Sequence, residues 1–572
     1  MSLEDWAQDM AAAAEPVAPE SVLKSAPEPP ELKSPEPQLP EPQPTASIAP
    51  ALRELPLPRS GAISLEDWAA DMVTHVPDAI DPSMSPIGIL PAQSRAQSEA
   101  LWYLGLDFGT TGISAVLLNR STCHLYPLYW TEPPAYLAET RASEPSQGLP
   151  SEELRFRLPS VISLQTADPA AGHLRDFKPC LKLGIPYQNG DRWEPQVQWS
   201  DTLRIPLSQI TQALQSLLAS LMESAQALEL EAALPSLAGV AIGCPAHWSE
   251  AYRFNLRQAV IEARLVAEPE QVYCIEDSIA ALLSTLNSSD GREIVLPQNS
   301  QRNTASAENS EPGNTLVLVA GAMTTELTLV RVSGKSPNLA HEEFQIRSIP
   351  FAGQAITQDI ICQLIYPMLH EAPGHSRSFW PEEPGELRAE DFRAEAIDRL
   401  IFQDLKLPTA GEPDLVLRTQ LQQRLESCRS GQLLLEAAQY IKLTLQQQSR
   451  CSLKLGNDQQ VVLRQDLGSQ VLLPYIQRLN RELNALLTEV DLTVTDINQV
   501  ICTGGTASLG AIARWLRQKL PNATITQDTY RSVPNRCISS CSRIAYGLAL
   551  LPLHPQLRDQ AQMGDRTPHV PL

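Results

Sequence analysis

The chain has 572 residues, of which 43% are hydrophobic and 48 are proline, and its formal net charge is -22. That charge, without a single run of five or six basic residues, argues against nonspecific binding to DNA, RNA or an anionic membrane, all of which need clustered lysine and arginine. No apolar stretch reaches the length of a membrane span, and the first ten residues are acidic and amphipathic, so the expectation is a cytoplasmic chain with no nucleic-acid and no membrane partner.

Residues 1–50 hold eleven prolines mixed with Glu, Ala, Gln and Ser. Such a stretch buries too little apolar surface to offset the entropy of ordering it, so residues 1–100 read as a Pro-rich disordered arm, partly polyproline-like. Within the arm one segment recurs: Ser-Leu-Glu-Asp-Trp-Ala-Gln-Asp-Met at 2–10 and Ser-Leu-Glu-Asp-Trp-Ala-Ala-Asp-Met at 64–72. Ser2 and Ser64 suit helix N-caps. Leu3, Trp6, Ala7 and Met10 fall at i, i+3, i+4 and i+7, as do Leu65, Trp68, Ala69 and Met72, giving one apolar stripe per short helix. Helices this short are marginal alone in water. They read as tethered docking segments for an unknown protein partner, against the alternatives of folding back on the chain's own globular part or of being inert.

The globular part begins near residue 101. Residues 101–106 and 113–118 are apolar runs that predict two strands, joined by Asp-Phe-Gly-Thr-Thr-Gly at 107–112. Strand, tight Gly/Thr turn and strand form a phosphate-type hairpin, unlike the strand–turn–helix of a dinucleotide fold. Residues 206–232 have helical periodicity, 237–244 predict a buried strand, a helix runs on through 265, and a short strand at 273–275 leads into a helix at 277–286. The polar residues 287–313 read as a flexible insertion. A second hairpin is predicted at 316–320 and 326–332, a mainly helical region at 353–450, a strand at 500–503 with Gly504 and Gly505 after it, a helix from 508, and a last helix at 542–551. Residues 553–572 read as a disordered tail. The ten cysteines are scattered, and Cys537 and Cys541 have no second pair to complete a zinc site, so they read as reduced thiols.

Two glycine/threonine hairpins and a Gly-Gly turn at a helix start suit a nucleotide held between two lobes, because glycine lets backbone N–H groups approach phosphate oxygens closely. Asp107 stands at the mouth of the first turn, where a carboxylate can hold a water of a magnesium ion.

Several segments, in order, resemble the nucleotide-binding domain of the 70-kDa heat-shock (DnaK-like) chaperone family. Leu-Gly-Leu-Asp-Phe-Gly-Thr-Thr at 104–111 is similar to its first phosphate motif, and Pro-Ser-Val-Ile at 159–162 to the strand that follows. Cys-Pro-Ala-His-Trp-Ser at 244–249, with the segment at 252–259, is similar to the stretch bearing the family's switch proline and relay arginine, here Pro245 and Arg253. Ile-Glu-Asp-Ser-Ile-Ala-Ala-Leu at 275–282 resembles its glutamate helix, Ile-Cys-Thr-Gly-Gly-Thr-Ala-Ser at 501–508 its adenosine motif, and Ala-Tyr-Gly-Leu-Ala at 545–549 its closing helix. The resemblance implies an α/β fold of the two-lobed actin-like ATPase type, a duplicated ribonuclease H-like unit. Lobe I would cover residues 101–286, lobe II residues 314–499, and the closing segment residues 500–552. It implies ATP or ADP with Mg2+ as ligands. It assigns Asp107, Glu276 and Lys178 to the chemistry, Asp107 also to the metal, and Gly109, Thr110, Thr111, Gly321, Thr324, Lys442, Gly504 and Gly505 to the nucleotide.

The sequence also departs from that family. Its second phosphate motif reads Asp-Leu-Gly-Gly-Gly-Thr, whereas residues 319–324 read Val-Ala-Gly-Ala-Met-Thr, so Val319 replaces an aspartate and Ala322 and Met323 replace glycines. Losing one preorganised electrostatic group costs about 3–4 kcal/mol of transition-state stabilisation. Leu443 and Gln446 stand where the family has a stacking arginine and a serine, and Lys182 competes with Lys178 for the lysine position. Too few residues follow Leu551 for a peptide-binding domain. The expectation is an ATP-binding, heat-shock-like chain with weak or residual ATPase activity. The alternative is a pseudo-ATPase scaffold that recruits partners through its tryptophan-containing helices. A sugar-kinase type also opens with Asp-x-Gly-Thr-Thr, but the segments at 244–248 and 276–282 argue against it.

Overall fold

The computed structural model describes residues 102–131, 155–163, 173–182, 186–189, 192–198, 204–246, 248–289, 294, 313–333, 338–371, 397–455, 458–528 and 541–562. The arm with both Leu-Glu-Asp-Trp segments, most of the 287–313 insertion and the last ten residues lie outside them.

Trp102–Phe108 and Gly112–Asn119 are buried at every residue. Strands of that kind need cover on both faces. They form an antiparallel hairpin that continues into His124–Pro127. Leu237–Cys244 runs parallel beside Trp102–Phe108, and Val272–Glu276 runs parallel beside Leu237–Cys244. Leu158–Pro159 adds a short pairing at the turn end of Gly112–Asn119.

The same path then recurs. Gly313–Ala320, Thr325–Val332 and Gln345–Ile349 make an antiparallel meander. Ile497–Thr503 runs parallel beside Gly313–Ala320, and Thr524–Gln527 beside Ile497–Thr503. Strand for strand the two sheets share one topology: a three-stranded meander whose first strand receives two parallel neighbours on its free edge. Parallel neighbours require crossovers, which helices supply. Leu207–Ala219 and Glu250–Glu262 serve the first sheet, and Leu473–Glu489 and Gly510–Lys519 the second. The chain is therefore an α/β protein built on two mixed sheets.

The period of two along each strand sorts the core. Leu104, Leu106, Ile113, Leu117, Val240 and Ile242 face the helices Leu207–Ala219 and Glu250–Glu262 on the outer side of the first sheet. Their neighbours Tyr103, Val116, Leu118, Ala241 and Ile275 face inward, and join Val317, Val319, Val330 and Ile501 of the second sheet in one apolar cluster. Two helices fill the space between the sheets. Asp277–Leu283 leaves the first sheet and packs on Gly313–Ala320 and Thr325–Val332 of the second. Arg543–Leu550 follows the second sheet and packs on Trp102–Phe108 and Gly112–Asn119 of the first. The two helices also cross each other, so closely that a Cβ on Gly547 would overlap the Ala280 carbonyl.

Three features differ from the sequence expectation. Pro555–Gln562 is a helix that buries Leu557 and Ala561, so the tail predicted as disordered from residue 553 is ordered through residue 562. Leu557 and Ala561 lie four apart on one helical face, too short a stripe to stand out. Pro186–Asn189, Arg192–Gln198 and Arg204–Pro206 form an antiparallel ribbon. Its one local signal is the Asn-Gly pair at 189–190, which favours a tight hairpin turn. A second hairpin, Arg450–Leu455 with Asp458–Leu463, follows the helical region.

The helix crossing gives a direct test. Gly547→Ala should destabilise the fold by about 1–3 kcal/mol through overpacking. Gly510→Ala, at a helix start where a Cβ meets nothing within 4 Å, should be neutral or stabilise by up to about 1 kcal/mol. Chemical denaturation of the two variants checks the contrast, and equal effects would contradict it.

Candidate functional site

Because both sheets follow one path, each places its hairpin turn beside the end of the parallel strand next to it. In the first sheet these are residues 109–111 and Pro245-Ala246. In the second they are residues 321–324 and Gly504-Gly505.

The first turn is closed by Gly109 N–H donating to the Gly112 carbonyl at 2.9 Å. Thr110 is buried and Thr111 exposed. Asp107 is buried on the inner face, where its Oδ2 accepts from Ser542 Oγ at 2.6 Å and lies 3.4 Å from Arg157 Nη1.

The second turn is closed by Gly321 N–H donating to the Thr324 carbonyl at 3.0 Å. Gly353 and Gln354, at the start of the helix Gly353–Ile360, donate to the carbonyls of Gly321 and Ala322. Thr506 Oγ1 donates to the Gly321 carbonyl at 2.6 Å. Gly504 has φ of +105°, a conformation that favours glycine, and it lies against the Ala320 carbonyl. Lys442 Nζ donates to the Gly353 carbonyl at 3.0 Å and to Thr357 Oγ1 at 2.9 Å, and burial lowers its pKa to about 8. Gly321, Thr324, Lys442, Gly504 and Gly505 thus form one cluster. A Cβ on Gly321 would meet only the Thr324 carbonyl, at 3.8 Å, and one on Gly505 nothing within 4 Å. The ground above these two glycines is open.

Glu276 ends its strand beside Cys244, and Lys178 lies against Phe108, the residue before the first turn. Alternation puts Glu276 on the outer face of its strand, where it meets Arg253 Nη2 at 3.3 Å and His341 Nε2 at 3.0 Å. Burial raises its pKa, but the His341 hydrogen bond and the charges of His341 and Arg253 outweigh that and hold it low. Lys178 is buried among Phe108, Trp248 and Tyr252, with its ammonium 5.6 Å from the Trp248 ring centre and 4.0 Å from Asp277 Oδ2. Lys182 lies 3.6 Å over the same tryptophan ring.

Sequence reasoning missed two buried acids. Asp277, next to Glu276, faces Gly243 and Ile544. Burial pushes it up to about 6, with Lys178 pulling against the charges of Asp107 and Glu276. Glu326 stands directly across the hairpin from Val319, on the same inner face. Its Oε1 accepts the Ala246 N–H at 2.6 Å, a hydrogen bond from one sheet's unit to the other's. Burial and the neighbouring Asp277 push Glu326 up to about 8. Among the described residues, Asp277 Oδ1 and Glu326 Oε2 have no hydrogen-bond partner. The signal was present: an acid at an inward position of an alternating strand whose other inward positions are Thr328, Val330 and Val332.

The oxygens that the resemblance assigns to a magnesium site are largely engaged by protein groups. Asp107 Oδ2 is committed to Ser542 and Arg157, Glu276 to Arg253 and His341, and Val319 carries no donor. Among the described residues no group of three or more His, Cys, Asp or Glu could hold a metal ion, and no helix is long and apolar enough to cross a membrane.

Glu326 makes stability depend on pH. It keeps its proton in the folded chain up to about 8, whereas an ordinary glutamate loses it near 4.5. Between those values the folded chain binds more protons than the unfolded one, so stability falls as pH rises, by up to about 1.4 kcal/mol per pH unit. Glu326→Gln keeps an acceptor for Ala246 and carries no charge. Its Tm relative to the parent chain should rise progressively from about pH 5 to about pH 8, and a constant offset would contradict the assignment.

No family model and no curated protein matches the chain.

Proposed function

We propose that the chain binds ATP or ADP between its two sheets, in an actin-like, ribonuclease H-like duplicated fold similar to the nucleotide-binding domain of the 70-kDa heat-shock chaperones, with weak or residual ATPase activity. The observation that carries the reading is the duplicated topology, which ends in a glycine turn on each side. Residues 109–111 would face one end of the phosphate chain. Gly321, Thr324, Gly504 and Gly505 would take the other end and the nucleoside side, where open ground above Gly321 and Gly505 supports a ligand. Lys442 would fix the helix start that braces the second turn.

Weak turnover follows from the acids and cations. Lys178 is enclosed by aromatic rings, and Glu276 is tied to Arg253 and His341. Either group would have to give up these contacts before it could activate a water, which supports slow turnover. The same observations favour a second reading, in which nucleotide only sets the spacing of the lobes and the chain acts as a scaffold. In that case the segments at 2–10 and 64–72 recruit the protein partner.

Calorimetric titration of the full chain with ATP or ADP tests the first reading. Binding in the micromolar range is expected, with a thermal stabilisation of about 2.7 kcal/mol at a hundredfold excess over Kd. Phosphate release should be slow, and its complete absence would favour the scaffold. No heat at millimolar nucleotide would overturn nucleotide binding altogether.

A further inference from the structure

Arg157 immediately precedes Leu158–Pro159, whose pairing with Gly112 and Ile113 anchors it beside the first turn. Its guanidinium lies across the two glycines of that turn. A Cβ on Gly109 would overlap Arg157 Nη2, and one on Gly112 would stand 2.9 Å from Nε. Nη1 is 3.4 Å from Asp107 Oδ2, the oxygen that also accepts from Ser542 Oγ. The side chain is 22% exposed, so the charged head is held in place without being sealed from an incoming ligand. The absence of side chains at 109 and 112 therefore makes room for an arginine. The acid at the mouth of the turn orients that arginine.

A guanidinium is permanently charged, planar and rich in N–H donors, and it matches phosphate oxygens in pairs. We propose that Arg157 is the phosphate ligand of the first turn, and that the chain holds the polyphosphate of a nucleotide there without a metal ion. Arg157 supplies the positive charge, and Asp107 is a positioning residue that fixes the guanidinium through its Oδ2. This rests on the nucleotide-binding reading and adds the chemistry of the contact: metal-free ADP or ATP binds as well as its magnesium complex.

The test is calorimetric titration of ADP into the full chain, once with magnesium and once with EDTA, for the parent protein, Arg157→Ala and Arg157→Lys. Parent affinity should agree in the two buffers within about twofold. Arg157→Ala should weaken binding about tenfold or more in EDTA, and Arg157→Lys, which keeps the charge without the fork, should fall between them. Thermal melts of each variant report whether it is folded, and the magnesium comparison on the parent chain stands even if Arg157→Ala is not. Parent binding that drops tenfold in EDTA would overturn this inference and leave nucleotide binding intact, as would a folded Arg157→Ala that binds like the parent. No heat in either buffer would overturn both.

Discussion

The crossing of Arg543–Leu550 over Asp277–Leu283 sets the spacing of everything else. Each helix belongs in sequence to one sheet and packs on the other, and the two meet where Gly547 leaves no side chain against the Ala280 carbonyl. The apolar inner faces of both sheets are buried against this pair, so neither sheet moves away without exposing part of a shared core. The helix ends also carry the polar links. Ser542 reaches Asp107 in the first sheet's turn, and Arg543 holds Asp528 beside Thr503 at the end of the second sheet's parallel strand. Ser278, in the other helix, accepts from Thr328 at 2.7 Å.

Charge in the space between the sheets is largely neutralised. Val319 makes one position apolar, while its cross-strand neighbour Glu326 places a carboxyl on the same face. Burying an ionised carboxylate is costly, so the group stays protonated instead. Glu326 thereby acts as a neutral cross-link to the Ala246 N–H, and its proton is lost only toward pH 8. Nearby, Arg157 takes the position in front of Asp107. Two of the negative centres are in this way neutralised, one by a proton and one by a guanidinium.

Much of the fold was legible in the sequence, because the hairpins at 101–118 and 316–332 and the strands at 237–244 and 500–503 are apolar runs with strong turn residues between them. The turns at 109–111, 321–324 and 504–505 were legible for the same reason, since glycine clusters between apolar runs mark tight turns at strand ends. The roles of Glu276 and Asp277 were not, because they are adjacent and only the pleat decides which face each one takes. Glu326 and Arg157 were missed for a related reason. Their importance comes from partners 80 and 50 positions away, Ala246 and Asp107, which no local pattern encodes. The short helix Pro555–Gln562 is stabilised by burial against Val272–Glu276 more than by propensity, which hid it among polar residues.

Amide hydrogen exchange with and without ADP tests the central claim most directly, because it reports on each turn separately. Nucleotide held between the sheets predicts that protection rises together at residues 109–112, 321–324 and 504–507, with little change on the outer helices Leu207–Ala219 and Leu473–Glu489. Protection confined to one sheet's turn, or appearing only on the outer helices, would contradict a shared site.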